Sequence, residues 1–335
     1  MWYGAGEMPD TLPYQNLTPD CILDAVESCG QRCDGRLLAL NSYENRVYQI
    51  GLDDGGSIVA KYYRPGRWSD DAILEEHRFA LDLVEREVPV VAPLLLEGRT
   101  LHQHCGYRFA VYPRCGGRSP ELEDPDTLRR LGRFIGRIHA VGASAAFRHR
   151  PLLDIETFGV EPSDFVLDND FLPDDLRVTY RSVIDDVLGR VARGYERAGQ
   201  VRSIRLHGDC HAGNILWTEQ GPHFVDLDDA RMGPAVQDLW MCLAGERAAM
   251  EAQLGALMAG YREFMDFSTS ELWLIEALRT LRIIHYAGWL ARRWDDPAFP
   301  ASFPFFNSQR YWQDHILALR EQAAALDEAP LQLAA

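Results

Sequence analysis

Hydrophobic periodicity switches once along this chain. Up to about residue 113, short runs of strand character dominate: "RLLAL", "RVYQI" and "SIVAKYY", the last two separated by the turn residues of "GLDDGG". A further strand pair is expected around "LLLEG" and "YRFAVYP". Two helices interrupt the strands. In "TPDCILDAVESCG", Thr18 can cap, Pro19 suits the first turn, Asp20 favours the N-terminus and Gly30 can end the helix, while Ile22, Ala25, Val26 and Cys29 form one apolar face. The spacing of Ile73, Phe79, Ala80, Leu83 and Val84 predicts a second helix over 70–85, ending before "EVPVVAP". Then "PRCGGRSPELEDPD", residues 113–126, breaks the pattern with proline, glycine and acids. Beyond it a helical period takes over. Residues 126–141 carry Gly132 and Gly136 one turn apart, which suits close packing on a neighbour, and Leu176, Tyr180, Val183, Val187, Val191 and Tyr195 predict a helix over 174–198.

The switch predicts an α+β chain of two lobes: a small N-terminal lobe over 1–112 with an antiparallel sheet plus helices, a hinge over 113–125, and a larger, mainly helical lobe over 126–335. A ligand site is expected in a cleft between them. With 34 basic against 50 acidic side chains the net charge is −16, which argues against nucleic acid or an anionic membrane as partner. No apolar run approaches the roughly 18 residues that span a bilayer, and "MWYGAGEMPD" lacks the basic and apolar regions of a leader, so a cytoplasmic protein is expected. Seven scattered cysteines without a C-x-x-C pair read as reduced thiols rather than a disulfide or zinc framework.

The stretch "RLHGDCHAGNILW", residues 205–217, concentrates the chemistry. His207, Asp209 and His211 alternate as metal ligands on a strand would, but Gly208, Ala212 and Gly213 argue for a loop, where alternation carries no meaning. Phosphoryl transfer explains more residues. A catalytic Asp that accepts the proton of the attacking hydroxyl, followed five residues later by a magnesium-holding Asn, matches Asp209 and Asn214. The following "NILWTEQGPHFVDLD" reads as two strands and a turn that bring Asp226 back beside Asn214 as a second metal ligand. An amide oxygen and a carboxylate are the hard donors that Mg2+ needs to bridge the phosphates of ATP.

A phosphate-gripping cation should lie in the first lobe, and Lys61 in "IVAKYY" fits, although an exposed edge lysine is the plain alternative. Glu76, on the apolar face of the second helix with Phe79, Ala80 and Leu83, is favoured over Glu75 as its partner, because an apolar-facing carboxylate is costly unless paired. No glycine-rich phosphate loop precedes Lys61. The turn reads "LNSYENRVYQ" instead, so Asn41, Ser42 and backbone N–H groups would cover the phosphates.

"HGDxxxxN" followed by "VDLDD" resembles the signature of the aminoglycoside phosphotransferase and choline kinase branch of the kinase-like fold. More narrowly, "LNSYENRVYQ", "KYYRPGRW", "ILEEHRFAL", "LHGDCHAGNILW", "FVDLDDARMGPAVQDLW" and "RRWDDPAFP" are similar to a family of bacterial stress-response Ser/Thr protein kinases, from about Leu17 to the C-terminus. The resemblance implies a bilobal protein-kinase-like fold and a cytoplasmic enzyme that uses ATP and Mg2+ to phosphorylate Ser/Thr hydroxyls of proteins. It implies Asp209 as proton acceptor, Asn214 and Asp226 as metal ligands, Ser42 and Lys61 at the nucleotide, and Asp238 as a structural aspartate. A small-molecule kinase of the same fold, acting on an aminoglycoside, choline or homoserine-like acceptor, stays open, because fold defines the donor side better than the acceptor. A zinc hydrolase built on His207, Asp209 and His211 is the reading from another class. His207 is expected as scaffold and Cys210 as an inert thiol, whereas His211 could be loop surface or a substrate contact. Asp228 and Asp229 could assist the metal or form a solvated acidic turn. Arg279, Arg282, Arg292 and Arg293 read by default as a solvated helix face with Glu271 and Glu276, or else could hold an anionic acceptor.

Overall fold

A computed structural model describes residues 12–333; the opening stretch "MWYGAGEMPD" lies outside the described residues. The chain divides into two compact units, one running through His77 together with Ala92–Arg114, the other made of Arg78–Val91 and everything from Cys115 onward.

The first unit is a five-stranded antiparallel sheet in the order β1-β2-β3-β5-β4, from β1 (Cys33–Leu40), β2 (Arg46–Leu52), β3 (Ser57–Tyr62), β4 (His102–His104) and β5 (Tyr107–Pro113). Helix α1 (Pro19–Glu27) is capped as its sequence predicts, Thr18 accepting from the Cys21 N–H, and its Ile22, Ala25 and Val26 pack with Ile50, Ile58, Ala60, Tyr62, Phe109 and Val111. Alternation sends Tyr63 and Ala110 to the opposite face, against Ile73 of α2 (Asp70–Glu85). Lys61 pairs with Ala110 across the central strand, so it shares that face, and it is 6 % exposed. The edge-lysine alternative therefore fails: β3 is flanked on both sides.

One expected strand is absent. "LLLEG" is not extended, because Glu97 and Gly98 both adopt positive φ and close a turn in which Leu96 and Arg99 pair; Leu95 points to solvent. The short β4 takes its place beside β5.

The second unit is mainly helical: α3 (Pro125–Gly142), α4 (Glu161–Asp168), α5 (Asp174–Ala198), α6 (Val236–Trp240), α7 (Arg247–Tyr261), α8 (Ile275–Ala291), α9 (Ala298–Ser302) and α10 (Gln309–Ala325). Its principal core packs Tyr180, Val183 and Val187 of α5 against Ile284 and Leu290 of α8 and Trp312 of α10, with Trp289 and Trp294 partly buried against it. Helix α3 meets α7 at backbone distance. A Cβ on Gly132 would lie 1.9 Å from the Leu257 carbonyl oxygen, and Gly136 faces the Tyr261 carbonyl in the same way. Two small β-ribbons, β6 (Ser203–Leu206) with β9 (Arg231–Pro234) and β7 (Ile215–Thr218) with β8 (Gly221–Phe224), carry the loops described next.

Candidate active site

Strand β6 ends at Leu206, and the chain turns sharply through His207 and Gly208. Gly208 has φ +85, and a Cβ there would sit 2.2 Å from the Asp229 carbonyl oxygen, so no other residue fits without displacing the neighbouring loop. The turn leaves two buried N–H groups that need acceptors. Asp238, at the start of α6 and 1 % exposed, supplies both: Oδ2 accepts from the His207 N–H at 2.8 Å and Oδ1 from the Gly208 N–H at 2.9 Å. Its Oδ2 also faces His139 Nε2 at 3.0 Å, and His139 Nδ1 lies 3.0 Å from the Tyr261 hydroxyl. Gln237 donates to the Gly208 carbonyl oxygen at 3.1 Å. The loop is thus gripped from α3, α6 and α7.

His207 stitches two segments together. Its Nδ1 accepts from the Asp209 N–H, so the proton belongs on Nε2, which lies 2.9 Å from the Val225 carbonyl oxygen. With both nitrogens so committed, His207 is a scaffold and does not face a common metal with Asp209 and His211. Asn214 does the complementary work. Its side-chain amide nitrogen donates to the Asp209 backbone carbonyl oxygen at 2.9 Å and to Asp209 Oδ2 at 3.3 Å, while its backbone carbonyl accepts from the Val225 N–H at 3.0 Å. These bonds leave Asn214 Oδ1 as the oxygen for a cation. Val225 is held at both its N–H and C=O, and the next residue, Asp226, is exposed and left-handed, with φ 59 and ψ 64. Such a backbone costs a non-glycine residue about 1–3 kcal/mol, tolerated where the surroundings fix it. Behind it, the buried Arg150 donates to the Ala230 carbonyl at 2.7 Å and to that of Asp228. The hairpin thus returns Val225, the residue before Asp226, to Asn214, which itself holds Asp209.

Asp209 has two donors beside it. Arg282 of α8 reaches Oδ1 at 2.7 Å, and His211 Nε2 lies 3.4 Å from Oδ2. His211 Nδ1 accepts from the Gly213 N–H, which leaves the hydrogen on Nε2, directed at the carboxylate. Burial alone would raise the Asp209 pKa, but the His211 hydrogen bond and the Arg282 charge outweigh it and hold the carboxyl well below the usual carboxylate range. Asp209 is ionised at neutral pH. Cys210 is fully buried, and its hydrogen bond with Cys242 together with burial pushes the thiol far above its ordinary value, in keeping with an inert thiol.

Three readings need correction. Arg282, though partly exposed, is not simply a solvated arginine paired along its own helix, because it contacts Asp209; Arg279 pairs with Glu276, at 2.9 Å. Glu271 is buried and accepts from the Val236 N–H at 3.0 Å, capping α6. The acidic turn is not solvated either: Asp228 is buried and Asp229 pairs with Arg231 at 2.7 Å. Sequence reasoning also passed over His139 and Arg150. The one signal for His139 was a histidine on the apolar stripe of "GRFIGRIHAV", where an unpaired imidazole is costly.

In the first unit, Glu76 is buried on α2 whereas Glu75 is half-buried, and Lys61 Nζ lies 5.3 Å from the Tyr63 ring centroid. Ser42 is half-buried in the β1–β2 turn. That turn is pinned by Asn45 Oδ1, which accepts from the Arg64 N–H at 3.1 Å, and by Glu44, 3.8 Å from both Arg64 and Arg67.

A helical unit whose short hairpins present an Asp, an Asn and a second Asp, together with a five-stranded sheet bearing a buried lysine, is the architecture of a phosphotransferase. Residues 36–273 match the phosphotransferase enzyme family, and the chain belongs to it. It is 47 % identical over 320 residues, 96 % of this chain and 97 % of the relative, to stress response kinase A of Escherichia coli (strain K12). Over the same span it is 45 % identical to the serine/threonine protein kinase RdoA of Salmonella typhimurium (strain LT2). The fold is also that of the amicoumacin kinase hAmiN, seen in complex with AMP-PNP, Ca2+ and Ami (TM-score 0.70, 18 % identity, 93 % of this chain and 95 % of that one). A microcompartment-associated aminopropanol kinase shares it, with TM-score 0.68 and 16 % identity over 91 % of this chain and 96 % of that one. Among the described residues no helix is long and apolar enough to cross a membrane.

Proposed function

We propose that this enzyme transfers the γ-phosphoryl group of ATP, with Mg2+, to serine or threonine hydroxyls of proteins in a bacterial stress response, in the cytoplasm. The observation that carries the donor chemistry is the clasp made by Asn214, whose side-chain nitrogen donates to Asp209 and whose backbone carbonyl accepts from the residue before Asp226. The acceptor class is supported by the two relatives named as a stress response kinase and as a serine/threonine protein kinase.

The donor set suits the metal: Asn214 Oδ1 and the exposed Asp226 carboxylate are hard oxygens on a backbone fixed by hydrogen bonds. These two side chains would hold Mg2+, which would supply charge neutralisation for the nucleotide phosphates. Lys61 would supply the cation for the nucleotide phosphates, with Glu76 balancing its buried charge and Ser42 contacting the phosphates from the β1–β2 turn. Asp209 orients the acceptor hydroxyl. As the hydroxyl oxygen bonds to the γ-phosphorus and the bond to the β–γ bridging oxygen breaks, releasing ADP, the hydroxyl proton passes to Asp209. A weakly basic carboxylate suffices, since in a loose transition state the proton moves late.

The test uses γ-labelled ATP with Mg2+ and compares wild type with Asp209→Asn on a generic protein acceptor and on aminoglycosides, choline and homoserine. Label on protein serine or threonine, lost in the variant, is the expected result. Label confined to a small molecule would keep the donor chemistry and replace the acceptor.

A further inference from the structure

Arg282 is an unusual neighbour for a base that handles a cationic acceptor. An enzyme of net charge −16 could readily present an acidic surface to an amino sugar or an amino alcohol. Instead, a guanidinium that never deprotonates in proteins sits 2.7 Å from Oδ1 of Asp209, and it is 41 % exposed on its outer side, within reach of an incoming group. The same helix extends this character. One turn earlier Arg279 lies 5.3 Å from the Trp240 ring centroid, and beyond Arg282 the exposed Tyr286 stacks on Trp289, which Arg293 covers at 5.3 Å. A cation brought to Asp209 would meet like charge, whereas an anion would meet a donor fork with hydrogen bonds to spare.

From this geometry we infer that Arg282 determines acceptor specificity, and that the acceptor is an acidic peptide segment whose carboxylate, close to the reacting serine or threonine, binds the Arg282 guanidinium. The inference rests on Asp209 being the base of the proposed reaction. An acceptor carboxylate that shares the guanidinium with Oδ1 places the neighbouring hydroxyl beside Asp209.

The experiment measures kcat/KM for serine peptides with acidic, neutral or basic flanks, and for glycerate, choline and kanamycin, using wild type, Arg282→Lys and Arg282→Glu. Thermal melts verify that the variants fold; a surface-reaching side chain makes this the expected outcome. Wild type should favour acidic over basic peptides by at least about tenfold, equivalent to about 1.4 kcal/mol. Arg282→Lys should keep the order with a smaller ratio, and Arg282→Glu should invert it. Peptides labelled without charge preference, or with a preference that Arg282→Glu leaves intact, would overturn the inference while leaving the protein-kinase reading standing. A uniform loss with every acceptor would also overturn it, since that is the behaviour of a residue holding ATP rather than reading the acceptor. Peptides unlabelled while choline or kanamycin is labelled would overturn both readings. Glycerate labelled through Arg282 with peptides untouched would overturn the peptide and keep only the anion-reading role.

Discussion

Replacing Asp238 with alanine tests whether the catalytic loop is held from outside itself. The carboxylate accepts from the buried N–H groups of His207 and Gly208 and faces the buried His139. Each orphaned buried donor costs about 1–3 kcal/mol. The buried His139 ring loses its acceptor as well, a further cost of about 1–3 kcal/mol. Water entering the vacated space would recover part of this, so the local loss should be about 3–5 kcal/mol rather than the sum of all three bonds. Amide hydrogen exchange reads the quantity directly, because the two orphaned amides are the reporters. At 1.4 kcal/mol per tenfold, exchange at His207 and Gly208 should accelerate at least about a hundredfold. Amides in β1–β3 should be unaffected. Turnover should fall with it, as Asp209 follows Gly208 directly. Asp238→Ala with unchanged exchange at these two amides and normal kcat would refute the assignment of Asp238 as the anchor.

Further outcomes follow from other parts of the molecule. Asp226→Asn should lose Mg2+-dependent ATP binding along with turnover, whereas Asp209→Asn should bind ATP normally and fail at transfer; titration calorimetry beside a turnover assay separates them, and equal defects would refute the roles. Gly132→Ala should lower stability by about 2 kcal/mol, because the new Cβ meets the Leu257 backbone carbonyl and puts the overpacking cost at the upper end of about 1–3 kcal/mol, against a helix-propensity gain of about 1 kcal/mol; an unchanged or raised Tm would contradict the close approach. His315 is buried with no partner for Nε2, and burial pushes its pKa down from 6.5 to about 4. The unfolded chain therefore binds this proton first. Its contribution is intact above pH 6.5 and is lost as pH falls toward 4, a change of about 3 kcal/mol. His315→Phe, which keeps the ring stacking, should lose less stability than wild type between pH 6.5 and 4, and parallel pH profiles would refute the assignment.

What the sequence reveals depends on how local the determinant is. Helix α2 runs over the predicted 70–85 because an apolar period and flanking breakers act within one segment. Helix α5 likewise covers 174–198 and stops at Gly199 with φ +67. The return of the chain beside Asn214 at Val225 is legible because a two-strand hairpin brings it back to its start. "LLLEG" misled because its composition is strand-like while Glu97 and Gly98 dictate a turn. Lys61 could be read as edge or centre until its strand gained neighbours on both sides. Arg282 was least legible: helical periodicity tells which residues share a stripe, not which distant loop the stripe meets.

The grip on the catalytic loop also bears on whether this chemistry could be moved. His207, Gly208, Asp209 and Asn214 are contiguous enough to be cut out as one short peptide, yet the atoms that shape them belong to His139, Val225, Gln237 and Asp238. A transplant into another scaffold would carry the reactive groups and leave behind their supports. To be portable, the cassette must run from Ser203 through Trp240 and be seated on a helix offering an imidazole where His139 stands. The smallest transferable part is therefore a ribbon, a hairpin and the start of a helix together, and mutations that improve such a graft should appear at the supporting positions before the reactive ones.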